Sequence, residues 1–166
     1  MEEYSLDKLI ESIVDEVNPS ARAKMVPIIM DIDDNIPTLL CGEANVLRYV
    51  LKDLILDALN NIEVGYIKLL VEGDTYASKV KLFFKLKYTG KASDYIKKGE
   101  VASALENVGS SLMVNNDNNQ YSEVHFQLEQ DVIKDKKVVN RELANIDLLI
   151  IDDNEININI IKIFFT

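Results

Sequence analysis

Two pairs of carboxylates in this chain have spacings that chemistry can use. Asp53 and Asp57 lie four residues apart within a stretch of helical periodicity, so both side chains fall on one stripe of a helix. Carboxylate oxygens can ligate Mg²⁺, so acidic side chains at this spacing are compatible with a bound metal. Asp152 and Asp153 directly follow an apolar run. They therefore stand at the carboxyl end of a predicted buried strand, where open α/β sheets place their chemistry.

The second pair is positioned by a predicted strand and helix within residues 146–166. Residues 148–151 are uninterruptedly apolar, which is typical of a strand buried on both faces of a parallel sheet. Asn154 is suited to cap a helix that follows. A strand of this kind needs cover, so we expect this segment to pack on another copy of the chain or back onto its own domain. The helical spacing is carried by Ile156, Ile160, Ile161, Phe164 and Phe165.

The first pair lies on the second of two predicted helices. The first helical stripe is predicted to end at Asn18-Pro19, because proline disfavours a continued helix. Residues 25–32 predict a strand that Pro27 confines to an edge or to its beginning, and a short apolar run follows at 38–41. Residues 44–61 predict the second helix. Its inner positions are Leu47, Val50, Leu51, Leu54, Ile55 and Ala58.

From residue 66 onward the periodicity changes from helical to alternating. Residues 66–72 and 79–87 predict a hairpin closed near Gly73-Asp74, and residues 92–107 predict a loop followed by a weak helix. A final hairpin, 112–114 with 121–129, is predicted around an asparagine cluster. One face of the strand at 79–87 is apolar, and we interpret the other as a solvated sheet face rather than a phosphate-binding row. That other face carries Lys79, Lys81, Lys85 and Lys87.

Composition restricts the possible partners. The 166 residues are 48% hydrophobic and 28% charged, which indicates a globular domain rather than a disordered chain. The net charge of -10 argues against nucleic acid or an anionic membrane as the main partner. A single cysteine, Cys41, excludes an intramolecular disulfide. We find no apolar stretch of about 18 residues and no signal peptide, so the sequence predicts a cytoplasmic protein without membrane contact.

Three stretches resemble the ATP-binding domain of sensor histidine kinases, the HATPase or GHKL fold. Residues 36–43 (IPTLLCGE) resemble the family's I-P-x-x-L-x-G-D, and residues 47–61 resemble its N box, Q-V-L-x-N-L-L-x-N-A-I-K; YSLDKLI at 4–10 adds support. The resemblance spans residues 4–130. It implies an α+β two-layer sandwich with a mixed, mainly antiparallel sheet covered on one face by about three helices. ATP and Mg²⁺ are the ligands of the resembling family.

The N box departs from the family where the family binds its nucleotide. Two asparagines four residues apart face the nucleotide there, and the second ligates Mg²⁺; Asp53 and Asp57 stand at the matching positions. The family's following lysine is Asn60 here, beside Asn61. The resemblance thus implies a degenerate nucleotide site in which Asp57 retains a metal-ligating oxygen. The alternative is that both carboxylates are solvated and bind no ligand.

The glycine motifs of the family are also altered. Residues 88–92 are the best match to D-x-G-x-G, with Tyr88 in the place of the aspartate that reads adenine, Gly90 retained and Ala92 in the place of the second glycine. A tyrosine cannot supply the compact acceptor, and its ring is expected to fill the adenine pocket itself. The later phosphate-cradling G-L-G-L corresponds to residues 98–105, which contain one glycine.

Residues 146–166 resemble the first strand and helix of a response-regulator receiver domain. In that family the acidic pair ending the strand holds Mg²⁺ beside a phosphate-accepting aspartate, which implies a weak metal site at Asp152 and Asp153. The only histidine, His125, is predicted to be an ordinary strand residue sharing its face with Glu123 and Gln127, rather than a phosphoacceptor.

Together these features predict part of a hybrid histidine kinase. Residues 1–130 would be a degenerate ATP-binding domain, 131–145 a charged connector and 146–166 the start of a receiver. The predicted role is non-catalytic signalling without a bound cofactor. The predicted partners are other domains of the parent kinase, a second kinase, or another copy through the tail. Two alternatives are a weakly active kinase that phosphorylates a histidine in trans and a protein-binding module without nucleotide.

Overall fold

Seven β-strands form one mixed sheet in the computed structural model, which describes residues 1–94, 96, 99–117 and 120–134. All neighbouring strands pair antiparallel except β2 and β4, which are parallel. The order across the sheet is β1-β3-β7-β5-β4-β2, and β6 pairs with the first part of β7. The strands are β1 Glu2–Tyr4, β2 Ile28–Ile32, β3 Leu39–Gly42, β4 Ile67–Tyr76, β5 Lys79–Thr89, β6 Met113–Asp117 and β7 Tyr121–Lys134.

The described helices are α1 Leu6–Ala23, α2 Ala44–Asn61 and α3 Glu100–Asn107. The prediction that Asn18-Pro19 ends α1 is wrong, because the helix continues through Pro19 to Ala23. A proline this close to the end of a helix removes one backbone hydrogen bond. The last turn is retained because Val17 and Ala21, on either side of the proline, are both about 1% exposed in the core.

The hairpin of β4 and β5 closes later than predicted. Tyr76 pairs with Lys79, so the turn consists of Ala77, at a φ of 51°, and Ser78. Gly73 lies inside β4, where a Cβ atom would come within 2.7 Å of the Ile36 side chain. The glycine therefore allows close packing in this strand, and the prediction that it closes the hairpin is wrong.

The core lies between the helices and one face of the sheet. In β5 every second side chain from Val80 to Tyr88 is buried, whereas the intervening lysines are exposed or half-buried on the opposite face. The predicted α+β fold class, with a mixed sheet and helices on one face, is confirmed. No helix among the described residues has both the length and the apolar character needed to cross a membrane.

The C-terminal strand extends beyond the predicted domain end at residue 130. β7 continues to Lys134, and its last residues pair with β3. Asn115 and Asn116 lie in β6 rather than in the turn. The short strand β1, which periodicity did not predict, pairs with β3 at the other side of the sheet. Asp152, Asp153 and the predicted receiver segment 146–166 lie outside the described residues.

Candidate functional site

The candidate site is built on the flank of α2 that faces the end of β5. The apolar stripe of α2 is fully buried against the sheet, which leaves Asp53, Asp57 and Asn61 half-buried at its border. Asn60 is exposed and points away from this border. The helix thus brings Asp53, Asp57 and Asn61 together, as their spacing predicts, and leaves Asn60 outside.

Both carboxylate oxygens of Asp57 have protein donors. The Ser93 hydroxyl donates to Oδ1 at 2.6 Å, and the Asn61 amide donates to Oδ2 at 3.1 Å. The same Asn61 amide also donates to the backbone carbonyl of Asp57 at 2.8 Å. Hydrogen bonds to an ionised carboxylate are short and strong, so these two contacts hold Asp57 in one orientation.

Asp53 lies in an acidic neighbourhood. Partial burial, followed by the charges of Asp57 and Glu100, raises the pKa of Asp53 above its ordinary value. Glu100 begins α3, and the Tyr49 hydroxyl of α2 donates to its Oε2 at 3.1 Å. Negative charge from two helices therefore converges at this border, which opposes the binding of a polyphosphate.

Replacing Asp53 by asparagine is expected to stabilise the domain at pH 7 by about 0.3–0.5 kcal/mol, after allowance for solvent screening. The pKa of Asp53 is higher in the folded than in the unfolded state, so the folded domain tolerates the protonated carboxyl better than the charged one. The associated stability is fully present below the unfolded-state pKa and is lost as pH rises through the folded-state pKa. The gain should therefore shrink towards pH 4. Urea unfolding at both pH values measures it, and Asp15→Asn, on the exposed face of α1, is the charge-matched control. An equal gain from both variants at pH 7 would contradict the local explanation.

Tyr88 is buried completely on the helix-facing side of β5. Its side chain belongs to the same core cluster as Leu54 and Ala58 of α2. Burial, together with the charge of Asp57, raises the pKa of the Tyr88 phenol. The nearby Ser122 hydroxyl lowers the same pKa. It does not meet hydrogen-bond geometry, however, and the Tyr88 hydroxyl has no hydrogen-bond partner among the described residues.

The chain that leaves β5 is held against α2. Gly90 has a φ of 102°, and a Cβ atom there would lie 2.9 Å from the backbone oxygen of Asn61, so only glycine fits this approach. Its amide donates to the Gln120 carbonyl at 2.8 Å. The Ala92 amide donates to the buried Ser122 hydroxyl at 2.7 Å. The retained glycine of the motif therefore has a structural reason that requires no nucleotide.

The described residues contain no group of three or more histidine, cysteine or acidic side chains arranged to hold a metal ion. Asp57 is the one predicted metal ligand within this part of the chain, and its oxygens face Ser93 and Asn61. A cavity of about 520 Å³ opens beside Gly90, with Asn61 and Tyr121 among its lining residues.

The outer face of the sheet carries the lysine row and His125. Lys68 pairs with Asp31 at 3.1 Å, Lys87 with Glu123 at 3.6 Å, and Lys79 with Glu129. These ion pairs agree with a solvated sheet face. His125 Nε2 lies 3.4 Å from Glu123 Oε2 on the same face, in the strand position that was predicted. A groove of about 390 Å³ here is lined by Leu70, Glu72, Phe83, Lys85, Met113 and His125, among others.

Comparison with known proteins identifies the class of fold. No family model and no curated protein matches the chain. Among solved structures it is similar to full-length ShkA in complex with AMPPNP, at TM-score 0.66 and 19% identity, covering 80% of this chain and 31% of ShkA. The Acinetobacter baumannii histidine kinase AdeS matches at TM-score 0.60 and 15% identity, covering 76% of this chain and 66% of AdeS. The catalytic domain of histidine kinase ThkA matches at TM-score 0.58 and 20% identity, covering 77% of this chain and 95% of the ThkA domain.

The described part of the chain therefore has the fold of histidine kinase catalytic domains. It spans nearly the whole catalytic domain of ThkA but less than a third of full-length ShkA. ThkA has also been solved in complex with a response regulator, TrrA. This is the fold that the sequence resemblance implies.

Proposed function

We propose that this chain is a non-catalytic signalling module of a hybrid histidine kinase in two-component phosphorelay. The sequence predicts a degenerate ATP-binding domain at residues 1–130, which β7 extends to Lys134, a connector up to residue 145 and the opening of a receiver domain at 146–166. The shared fold supports the kinase origin. Its role in the parent would be architectural, passing conformational change between an upstream helical dimerisation domain and the receiver, or docking a second kinase.

The observation that carries this proposal is the burial of Tyr88. Its side chain is 0% exposed at the position where the resembling family carries its adenine-reading aspartate. A ring packed in the core leaves no acceptor for the exocyclic amine of adenine, and a buried donor without its partner costs about 1–3 kcal/mol. The convergence of Asp53, Asp57 and Glu100 adds repulsion towards phosphates.

Isothermal titration with ATP and Mg²⁺ tests the proposal. We expect any dissociation constant to be weaker than about 1 mM, while a histidine kinase domain with intact motifs serves as the positive control. The double variant Asp53→Asn/Asp57→Asn restores the family's asparagines and removes two charges. It is also expected not to bind, because Tyr88 remains in the core.

Two outcomes would change this conclusion. Micromolar binding by the unaltered chain would contradict the non-catalytic function and favour the weakly active kinase, which transfer of labelled phosphate to a separate histidine-containing domain would then confirm. Binding by the double variant alone would assign the block to charge rather than to Tyr88. Binding by neither variant supports the proposal.

The groove on the outer sheet face favours a second candidate, a protein-binding module. Phe83 and Met113 at this groove are 39% and 60% exposed, although both are large and apolar. Replacing Phe83 by serine should then weaken association with the rest of the parent kinase without changing the fold. Unchanged association would remove this candidate.

We also propose that residues 146–166 mediate self-association, because a buried-type strand requires cover. Light scattering before and after deletion of these residues tests it. A dimer that persists in the shortened chain would contradict the proposal.

A further inference from the structure

We propose that Ser93 and Asp57 form a latch that holds residues 90–93 closed over α2 without any bound ligand. In this arrangement the border of α2 keeps one conformation regardless of nucleotide. The inference rests on the proposed non-catalytic function, and it adds a specific mechanism by which the unliganded domain stays ordered.

The hydrogen bond between Ser93 and Asp57 is the centre of the latch. Its 2.6 Å length lies in the range of hydroxyl bonds to an ionised carboxylate, which are roughly twice as strong as bonds between neutral groups. Asn61 fixes the other carboxylate oxygen, so the acceptor is already oriented on the helix. The Asp57 carboxylate is therefore preorganised to accept from Ser93, and little further ordering of Asp57 is needed to form the bond.

Backbone contacts hold the start of the same segment. The Gly90 amide donates to Gln120, and the Ala92 amide donates to the Ser122 hydroxyl. The Ser122 oxygen also lies 2.8 Å from the Gly90 carbonyl and 2.7 Å from Asn116 Oδ1, so its proton is available to one of these acceptors at a time. Ser122 is 0% exposed, and these contacts therefore tie residues 90–92 to the interior of the sheet.

A second contact attaches α2 to the start of α3. The Tyr49 hydroxyl donates to Glu100, so one stripe of α2 contacts Ser93 through Asp57 and, about two turns earlier, the first residue of α3. Both contacts use acidic acceptors at the border where the resembling family binds a triphosphate. The carboxylates that oppose a nucleotide thus stabilise a closed arrangement in its absence.

Amide hydrogen exchange, followed residue by residue by NMR without nucleotide, tests the latch. We expect Ser93→Ala to speed exchange at Ala92 roughly 10- to 100-fold, because local opening loses a charge-assisted hydrogen bond. Ser93→Thr retains the hydroxyl and should restore slow exchange. Ser103→Ala is the matched control, because among the described residues that exposed hydroxyl on α3 donates only to the Gly99 carbonyl.

Two results would overturn the latch. One is unchanged exchange at Ala92 in Ser93→Ala. The other is an equal rise at core amides of α1 and β5, which would mean that Ser93 acts on global stability. Titration of the unaltered chain with ATP and Mg²⁺ is judged separately. Nucleotide binding there would refute the proposed function, whereas exchange in the absence of nucleotide alone decides the latch.

Discussion

Replacing Tyr88 by alanine is expected to lower the free energy of unfolding by about 3–5 kcal/mol, the usual cost of deleting a buried aromatic ring. The side chain is completely buried in the core shared by β5 and α2, so its removal leaves a cavity beside Asp57. For a domain of this size the melting temperature should fall by roughly 10–20 °C. Thermal and urea unfolding, followed by circular dichroism, measure the change.

Tyr88→Phe is the matched control, because it keeps the ring and removes only the hydroxyl, which has no partner in the described part of the chain. We expect it to be neutral or to stabilise the domain by up to about 1 kcal/mol, since an unsatisfied buried hydroxyl is unfavourable. If the ring fills a pocket, millimolar 4-methylphenol should raise the melting temperature of Tyr88→Ala but not of the unaltered chain. A stable alanine variant would contradict the view that the ring fills this space.

Replacing Gly42 by alanine is expected to cost about 3 kcal/mol or more, from overpacking and from lost hydrogen bonds. A Cβ atom at Gly42 would lie 1.7 Å from Oε1 of Gln130, which is 3% exposed. That oxygen accepts hydrogen bonds from the Glu43 amide at 3.0 Å and from the Tyr4 hydroxyl at 3.1 Å. Displacing Gln130 would therefore release β1 and the residue that precedes α2. Urea unfolding at pH 7 measures the loss.

The effect of Gly42→Ala should depend on Gln130. In a Gln130→Ala background the new methyl group occupies space that the amide has left, so the added cost should fall by about 1–3 kcal/mol. A double-mutant cycle of the four proteins measures this coupling. The same cost in both backgrounds would show that the backbone at Gly42, rather than the amide, limits the substitution.

Helix α2 could be predicted with its observed ends because its apolar stripe is regular and the flanking residues break the helical periodicity. The turn after β4 could not. Gly73 is a turn residue by type, and only the position of Ile36, far away in the sequence, reveals that it serves packing. β1 has three residues, too few for any periodicity, and its pairing with β3 depends on tertiary structure.

In the candidate site, too, local spacing could be predicted from the sequence, whereas contacts with distant residues could not. Spacing alone placed Asp53 and Asp57 on one stripe, and alternation in β5 places Tyr88 on the inner face. The partner of Asp57 was not predictable, because Ser93 lies 36 residues away in a segment without periodicity. The approach of Glu100 to Asp53 was not predictable either, because it follows from how α3 packs on α2. A role for these residues towards nucleotide remains a prediction.

The position of β7 in the sheet has a consequence for biosynthesis. β7 is the sole hydrogen-bonded link, among the described strands, between β1 and β3 on one side and β5, β4 and β2 on the other. During translation β7 emerges after all of these strands. The β1–β3 pair and the β5–β4–β2 group therefore cannot join into one sheet, and β5 has an unpaired edge, until residue 134 has left the ribosome. Such long-range pairing slows folding and exposes the nascent chain to aggregation. Chaperone dependence should therefore be greatest just before β7 leaves the exit tunnel.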